Sequence, residues 1–341
     1  MEHPITSAAL SQIESGKVTP TSQTLRELAD ALDVPVEFFF AEWDPRGSDD
    51  VLAHVPYFRD LAATPAKDRR RAAALALILS ILVAAFESRI QLPKLKVPRY
   101  DAAPEAGRDD IEDIAQALRG EWDLGDGPIP HVVEEIEKHG VPVARLSLGS
   151  ERVDAFSVRL DPRPLILLTD DKSNYVRSRF DASHELGHLV MHRSADPDDR
   201  RIEHQAHDFA SAFLMPSDVA RTQLPRRLDS RGWGRLAELK REWGMSMSAL
   251  LYRSRELRLL TPDAYRNAMK YMSARGWRTT EPGDQQMGLP ESPRLFERAL
   301  ILIQDEYDES IQDLARSAHL PVGDAVWLIR GAGDRRPRLH L

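Results

Sequence analysis

Between Ala72 and Phe86 the chain runs through fifteen residues of which only Ser80 is polar. Such a run has to leave water, and few folds allow it to. A membrane-spanning helix takes roughly 17–25 apolar residues, more than this run offers. The expectation is therefore a helix buried in a core or against a second copy of the chain. Arg69, Arg70 and Arg71 stand just before the run, as they would before a membrane anchor, but its length speaks against one. A chain of 341 residues can enclose such a helix, with room for two or three domains.

Around that helix, periodicity divides the chain. Leu25, Leu28, Ala29 and Leu32 keep the three-and-four spacing of a one-sided helix, with a shorter helix at 6–14 before it and Phe38, Phe39 and Phe40 as a hydrophobic cover. Glu42–Asp50 and Val97–Gly107 read as linkers, and 109–118 and 130–138 as helices. Strand-like runs follow at 141–148, 155–160 and 165–168, with Asp161 and Pro162 as a turn. A helix over about 177–192, a charged loop at 194–199 and a helix ending at Met215-Pro216 come next, and everything from Trp233 onward reads as helical with breaks at Gly244, Thr261-Pro262 and 281–293.

Composition narrows the chemistry. The chain has no cysteine, which excludes disulfides, thiolate metal sites and a thiol nucleophile, so any metal must be held by His, Asp or Glu. The net charge of −8 argues against broad adhesion to nucleic acid. The N-terminus lacks the basic start and apolar stretch of a secretory signal, which makes a cytoplasmic location the expectation.

The helix at 177–192 carries His184-Glu185-Leu186-Gly187-His188. Two imidazoles four residues apart share a helix face and can bind one ion, while the intervening glutamate reaches a water on that ion as general base. A catalytic zinc takes three protein ligands and keeps one position open. The longer motif with Gly and His at the next positions is excluded, because Met191 and Ser194 stand there. The third ligand is then expected from the following helix. Glu203 sits at the edge of the stripe formed by Ile202, Ala206, Phe209, Ala210 and Phe213, with His207 one turn on as the alternative ligand or a hydrogen-bond partner. His192 cannot join His184 on one ion, being about 12 Å along the axis, and reads as a helix C-terminal imidazole favoured by the dipole. His204 reads as solvated. Tyr175, Arg179 and His207 are candidate donors to an oxyanion.

With these residues in view, the chain resembles ImmA/IrrE-type metallo-endopeptidases, which commonly pair such a site with an XRE-type helix-turn-helix. The resemblance is carried by Arg179-Phe180 through His188, by Gln205-Ala206-His207-Asp208-Phe209-Ala210 leading to Leu214-Met215-Pro216, and by the segment from Leu239 to Leu251; it covers about residues 109–290. It implies His184, His188 and Glu203 as metal ligands and Glu185 as catalytic acid and base, although the family often has Asn where His207 stands. It implies an α+β, mostly helical fold, with a small β-sheet packed against a zincin-like (gluzincin) helix and flanked by helical N- and C-terminal regions. The implied domains are a partial helix-turn-helix at 1–45, a helical linker region at 46–107, a metallopeptidase core at 108–220 and a helical region at 221–341. The expected cofactor is Zn2+, with Mn2+ or Fe2+ as alternatives. The expected partner is a protein substrate, a repressor-like regulator whose cleavage controls transcription.

Residues 6–14 and 21–32 look like the recognition helix of an XRE domain and the helix after it, without the two helices that usually precede them. Within residues 1–45, Lys17 and Arg26 face eight acidic residues, a poor phosphate-binding surface. The segment reads as a docking or dimerisation module before it reads as a DNA reader. A DNA-binding regulator with the metal domain as sensor, and an adaptor acting by protein contact alone, remain the competing functions. Residues 310–329 also suggest a helix-turn-helix, although a plain helical hairpin is the preferred reading, since many such pairs bind no DNA.

Overall fold

The computed structural model describes residues 5–40, 66–100, 102–103, 105–147, 155–160, 163–170, 174–192 and 200–331. The expected linker at 42–50, the turn at 161–162 and the loop at 194–199 lie outside these residues. Three short strands, Val143–Leu146 (β1), Ala155–Val158 (β2) and Leu165–Thr169 (β3), form one sheet in the order β1-β3-β2. β3 runs parallel to β1, with Val143 opposite Ile166, and antiparallel to β2, with Ala155 opposite Leu168.

Side chains alternate across a strand, so each strand feeds two cores. Val143, Ala155, Ile166 and Leu168 point into one; Ala144, Leu146, Phe156, Val158, Leu165 and Leu167 point into the other. Coverage on both faces explains why the strands read as nearly unbroken apolar runs.

Fourteen helices are found among the described residues, and the fold is α+β and mostly helical. They are Ser7–Glu14 (α1), Ser22–Leu32 (α2), Ala66–Glu87 (α3), Arg108–Glu121 (α4), Val132–Lys138 (α5), Tyr175–Met191 (α6), Arg200–Leu214 (α7), Ser217–Gln223 (α8), Ser230–Trp243 (α9), Met247–Glu256 (α10), Pro262–Ala274 (α11), Leu295–Tyr307 (α12), Ile311–Ser317 (α13) and Val322–Arg330 (α14). The apolar run is α3, and Leu75, Leu79, Leu82 and Phe86 vanish into the second core. Phe86 stacks on Phe296 of α12 at 5.7 Å between ring centroids. Each such side chain contributes about 1.5–3 kcal/mol by leaving water. Among the described residues no helix is long and apolar enough to cross a membrane.

The first core holds α6, with α7 laid across it. Gly187 is where they touch: a Cβ there would lie 2.8 Å from Cδ1 of Phe209 and within 3.3 Å of two more of its atoms. The end of α6 is closed by the segment expected to be a loose linker. Tyr100 and Ala102 donate their amides to the carbonyls of Val190 and Met191 at 3.0 and 3.1 Å, and Arg159 donates to the carbonyl of Leu189. Helix ends leave such groups without partners of their own.

Glutamates close the opposite kind of end. Glu137 of α5 accepts from the amides of Arg294 and Leu295 at the start of α12, while Glu291 accepts from the amide of Val133 at the start of α5. Glu281 does the same for Met247 and Ser248 of α10, and Glu112 for Ser217 of α8. A carboxylate at a helix N-terminus satisfies free amides and complements the dipole.

The N-terminal pair has hydroxyl caps, Thr6 on α1 and Thr21 on α2, and α1 has no buried residue. Of the expected aromatic cover, Phe38 packs on the second core, whereas Phe40 is 65% exposed. At the other end, α14 buries Trp327, Leu328 and Ile329 and packs against β1, so its apolar face is spent on the core.

Two outcomes follow from this packing. Gly187→Ala drives a methyl into Phe209 and is expected to cost about 1–3 kcal/mol, read as a lowered denaturation midpoint that Phe209→Leu partly restores. Burial pushes Glu137 up to about 7 from its ordinary 4.5, against its two backbone hydrogen bonds. An acid that keeps its proton to higher pH in the folded chain makes stability fall as pH rises from 4.5 to 7. At about 1.4 kcal/mol per pH unit the loss is on the order of 3 kcal/mol, and urea unfolding at pH 5 and 7.5 should show Glu137→Gln flattening that slope.

Candidate metal centre

α6 starts on Asn174, whose side chain accepts from the amide of Arg177 at 3.1 Å, and this sets the register of everything after it. His184 and His188 then lie one turn apart, both buried, with their Nε2 atoms 3.1 Å from each other. From α7, Glu203 brings Oε2 to 3.3 Å from Nε2 of His184 and Oε1 to 3.3 Å from Nε2 of His188. Among the described residues these three form the one group of His, Asp or Glu able to hold a metal ion, with one ligand atom from each lying within 4.8 Å of the others.

The electrostatics suit a cation. Burial pushes His188 down to about 4, with the neighbouring His184 adding to the effect and Glu203 opposing it. Burial alone would raise Glu203, but the neighbouring imidazoles of His184 and His188 outweigh it and hold the carboxyl below the usual carboxylate range. At neutral pH the cluster is thus one carboxylate with a neutral imidazole at His188. Glu203 Oε1 is buried and, despite its 3.3 Å approach to His188, lacks hydrogen-bond geometry to any group. A cation at the meeting point of these donors would satisfy it, and two imidazoles with one carboxylate are the donors of a catalytic zinc site.

Glu185, next to His184 on α6, reaches the sheet, where Ser157 of β2 donates its hydroxyl to Oε2 at 2.8 Å. Burial raises the Glu185 carboxyl well above its ordinary range; Ser157 opposes that, and the charges of Glu203 and Asp181 add to it. A proton acceptor with raised affinity therefore stands beside the candidate ligands.

The other residues singled out from the sequence fall elsewhere. His207 is clasped between the rings of Phe180 and Tyr252, at 4.8 and 4.5 Å, and Glu203 rather than His207 meets the imidazoles. Arg179 is buried with its guanidinium on Glu291 and on the carbonyls of Ile129 and Pro130; it is a clamp between segments, with Tyr175 beside it. His204 is exposed and lies 3.1 Å from Asp208. His192 does cap α6, but as a buried neutral ring: burial, and next the neighbouring His188, push it down to about 3. Its Nδ1 lies 3.0 Å from Nδ1 of His188, and its Nε2 lies 3.1 Å from Oε1 of Gln205.

Two of these contacts escape a reading of the sequence. Ser157 is a lone hydroxyl in an apolar strand, and its inward direction is the signal that pleat alternation offers. Gln205 sits among the residues of α7 with nothing in its type to separate it from a solvated glutamine.

Comparison with known families gives two matches. Residues 136–255 match the family model of the IrrE N-terminal-like domain, Peptidase_M78, and residues 5–39 match that of a helix-turn-helix. No curated protein matches the chain. The first match spans β1 to α10 and contains every residue of the candidate centre; the second spans α1 and α2. Over these two segments the chain is similar to the ImmA/IrrE type, in which an IrrE N-terminal-like peptidase domain is joined to a helix-turn-helix.

Proposed function

We propose that this chain is a zinc-dependent endopeptidase that cleaves a cytoplasmic regulatory protein, such as a helix-turn-helix repressor, and thereby controls transcription. The observation that carries the reading is the meeting of His184, His188 and Glu203 beside a buried Glu185 held by Ser157. In this reading the three residues are the metal ligands and Glu185 is the catalytic acid and base. The donor set suits Zn2+ and also accepts Mn2+ or Fe2+. When bound, the metal lowers the pKa of water and polarises a carbonyl.

The chain's own residues supply the proton transfers. Glu185 takes a proton from the water whose oxygen bonds to the scissile carbonyl carbon. It delivers that proton to the nitrogen as the C–N bond breaks, so the products are a carboxylic acid and an amine. Burial gives Glu185 the affinity for this errand, and Ser157 keeps its carboxylate from turning away. β2 is the end strand of the sheet, and an extended substrate segment would add along its outer edge.

The helix-turn-helix match favours a second reading, a DNA-binding regulator whose metal domain is a sensor. Charge speaks against it. Over residues 5–40, Lys17 and Arg26 stand against Glu14, Glu27, Asp30, Asp33 and Glu37, and phosphate binding needs the opposite balance. The segment is better suited to docking a protein.

Glu185→Gln should keep one zinc per chain and lose roughly 10²–10⁴-fold in cleavage of a co-expressed repressor, the worth of a general base. His184→Ala should lose both zinc and cleavage. Cleavage unchanged in Glu185→Gln would end the peptidase reading, and specific operator binding unchanged by the same substitution would install the regulator in its place.

A further inference from the structure

The net charge of −8 is unevenly spread. Residues 221–280, from the end of α8 to just past α11, hold fourteen lysines and arginines against five acids, in a chain whose totals are 46 and 54. Basic residues gathered in one part of an acidic chain favour a polyanion there and nowhere else.

Some of these cations have carboxylates of their own. Arg235 lies against Glu238, Arg253 against Glu112, and Lys240 is buried on Glu281. Five others differ. Arg227, Arg231, Lys270, Arg275 and Arg278 are exposed and make no ion pair among the described residues.

The five gather around a cluster of three aromatic rings. Trp233 of α9 stacks on Tyr271 of α11 at 4.6 Å between centroids, and Trp277 meets both edge to face at 5.8 and 5.7 Å. Arg231 stands two residues before Trp233, and the backbone of Arg227 lies against Gly232 beside it. Lys270 adjoins Tyr271, and Arg278 adjoins Trp277. Arg275 lays its guanidinium on Tyr271, with Cζ 3.5 Å from the ring centroid. Trp233 already occupies one face of Tyr271, so Arg275 covers the other and turns its own outer plane to solvent.

The kind of partner follows from what this surface leaves in water. The rings are half-buried and spend their faces on one another and on the first core, so little apolar area remains to be covered. A protein interface needs such area at its centre. What is exposed is a set of uncompensated cations around one planar guanidinium. Cations of this kind bind phosphates by releasing condensed counterions, and a guanidinium plane takes a stacked base. Within a duplex each base is already stacked on its neighbours, so the plane selects an unpaired strand.

We infer that the face built from α9, α11 and the turn after α11 is a sequence-independent site for single-stranded nucleic acid. Arg227, Arg231, Lys270 and Arg278 meet phosphates, and Arg275 carries a stacked base. The site shares no residue with the helix-turn-helix segment or with the metal centre, so it stands whether or not the chain is a peptidase.

The test is fluorescence anisotropy of a labelled mixed-sequence single strand with the full chain, over a salt series. Four neutralised phosphates give a slope of about −3 in log K against log salt, or roughly 50-fold weaker binding over a fourfold rise in salt. Arg231→Ala with Arg278→Ala should lower affinity by at least about 10-fold near 0.1 M salt and flatten the slope by about 1.4. Arg275→Lys keeps the charge and loses the plane, so it should keep the slope and weaken binding about 2–5-fold. An unchanged denaturation midpoint shows that each variant remains folded. Binding that survives all of these substitutions, or that is lost instead in Lys17→Ala with Arg26→Ala, overturns the inference. Equal affinity for the duplex of the same sequence does so too. Polyglutamate of equal charge binding as tightly as the strand would replace it with a dock for an acidic protein.

Discussion

The close crossing of α6 and α7 is the constraint on which the rest of the centre depends. Glu203 reaches two imidazoles and Gln205 reaches a third because the two helices pack closely at this crossing. Gly187 permits that approach, because the ring of Phe209 occupies the space a side chain would need. Helical geometry alone places His184 above His188. It takes the tertiary contact to bring a carboxylate to both, at 3.3 Å each. One residue without a side chain thus sets two families of distances, those of the candidate ligands and those of the hydrogen bonds behind them.

The C-terminal helices belong to this arrangement and are not an appendage. Glu291, beyond α11, binds Arg179 of α6 and the first turn of α5; Lys240 of α9 is buried on Glu281 and Asp284; Arg253 of α10 holds Glu112 of α4 with both its oxygens. Buried pairs of this kind add little net stability when formed, yet removing one partner costs about 3–5 kcal/mol because the other is left uncompensated. They fix position more than they add energy. The matched domain of 136–255 therefore ends before the residues that clamp its motif helix and before α12 to α14, which close the second face of its sheet.

Much of this was legible from the residues. Helix periods located α3, α4, α6 and α7 to within a few residues, since each has an apolar face long enough to repeat. The strands were found as apolar runs, and the motif spacing named His184, Glu185 and His188 outright. Glu203 could be singled out because the edge of an apolar stripe is a geometric statement about one helix. Pattern fails where a contact depends on how two elements cross. Ser157, Gln205 and the carbonyls of Ala103 and Ala106, which accept from Gln205, carry no local signature, and His192 looked like a charged cap because its neighbours through space were not visible. The same limit applies to Arg179, a plausible oxyanion donor by position that the fold commits to Glu291. The alanine- and proline-rich stretch before α4 reads as slack chain until its amides and carbonyls are counted.

Three histidines recur at one-turn spacing on α6, and what separates their roles is the residue each meets on α7. His184 and His188 meet a carboxylate at 203, while His192 meets an amide at 205. The difference is one of charge. A glutamine orients the ring of His192 through a dipole and adds no charge, whereas the carboxylate of Glu203 draws in positive charge, whether proton or metal. Of the two, only position 203 therefore offers a cation an ionic partner.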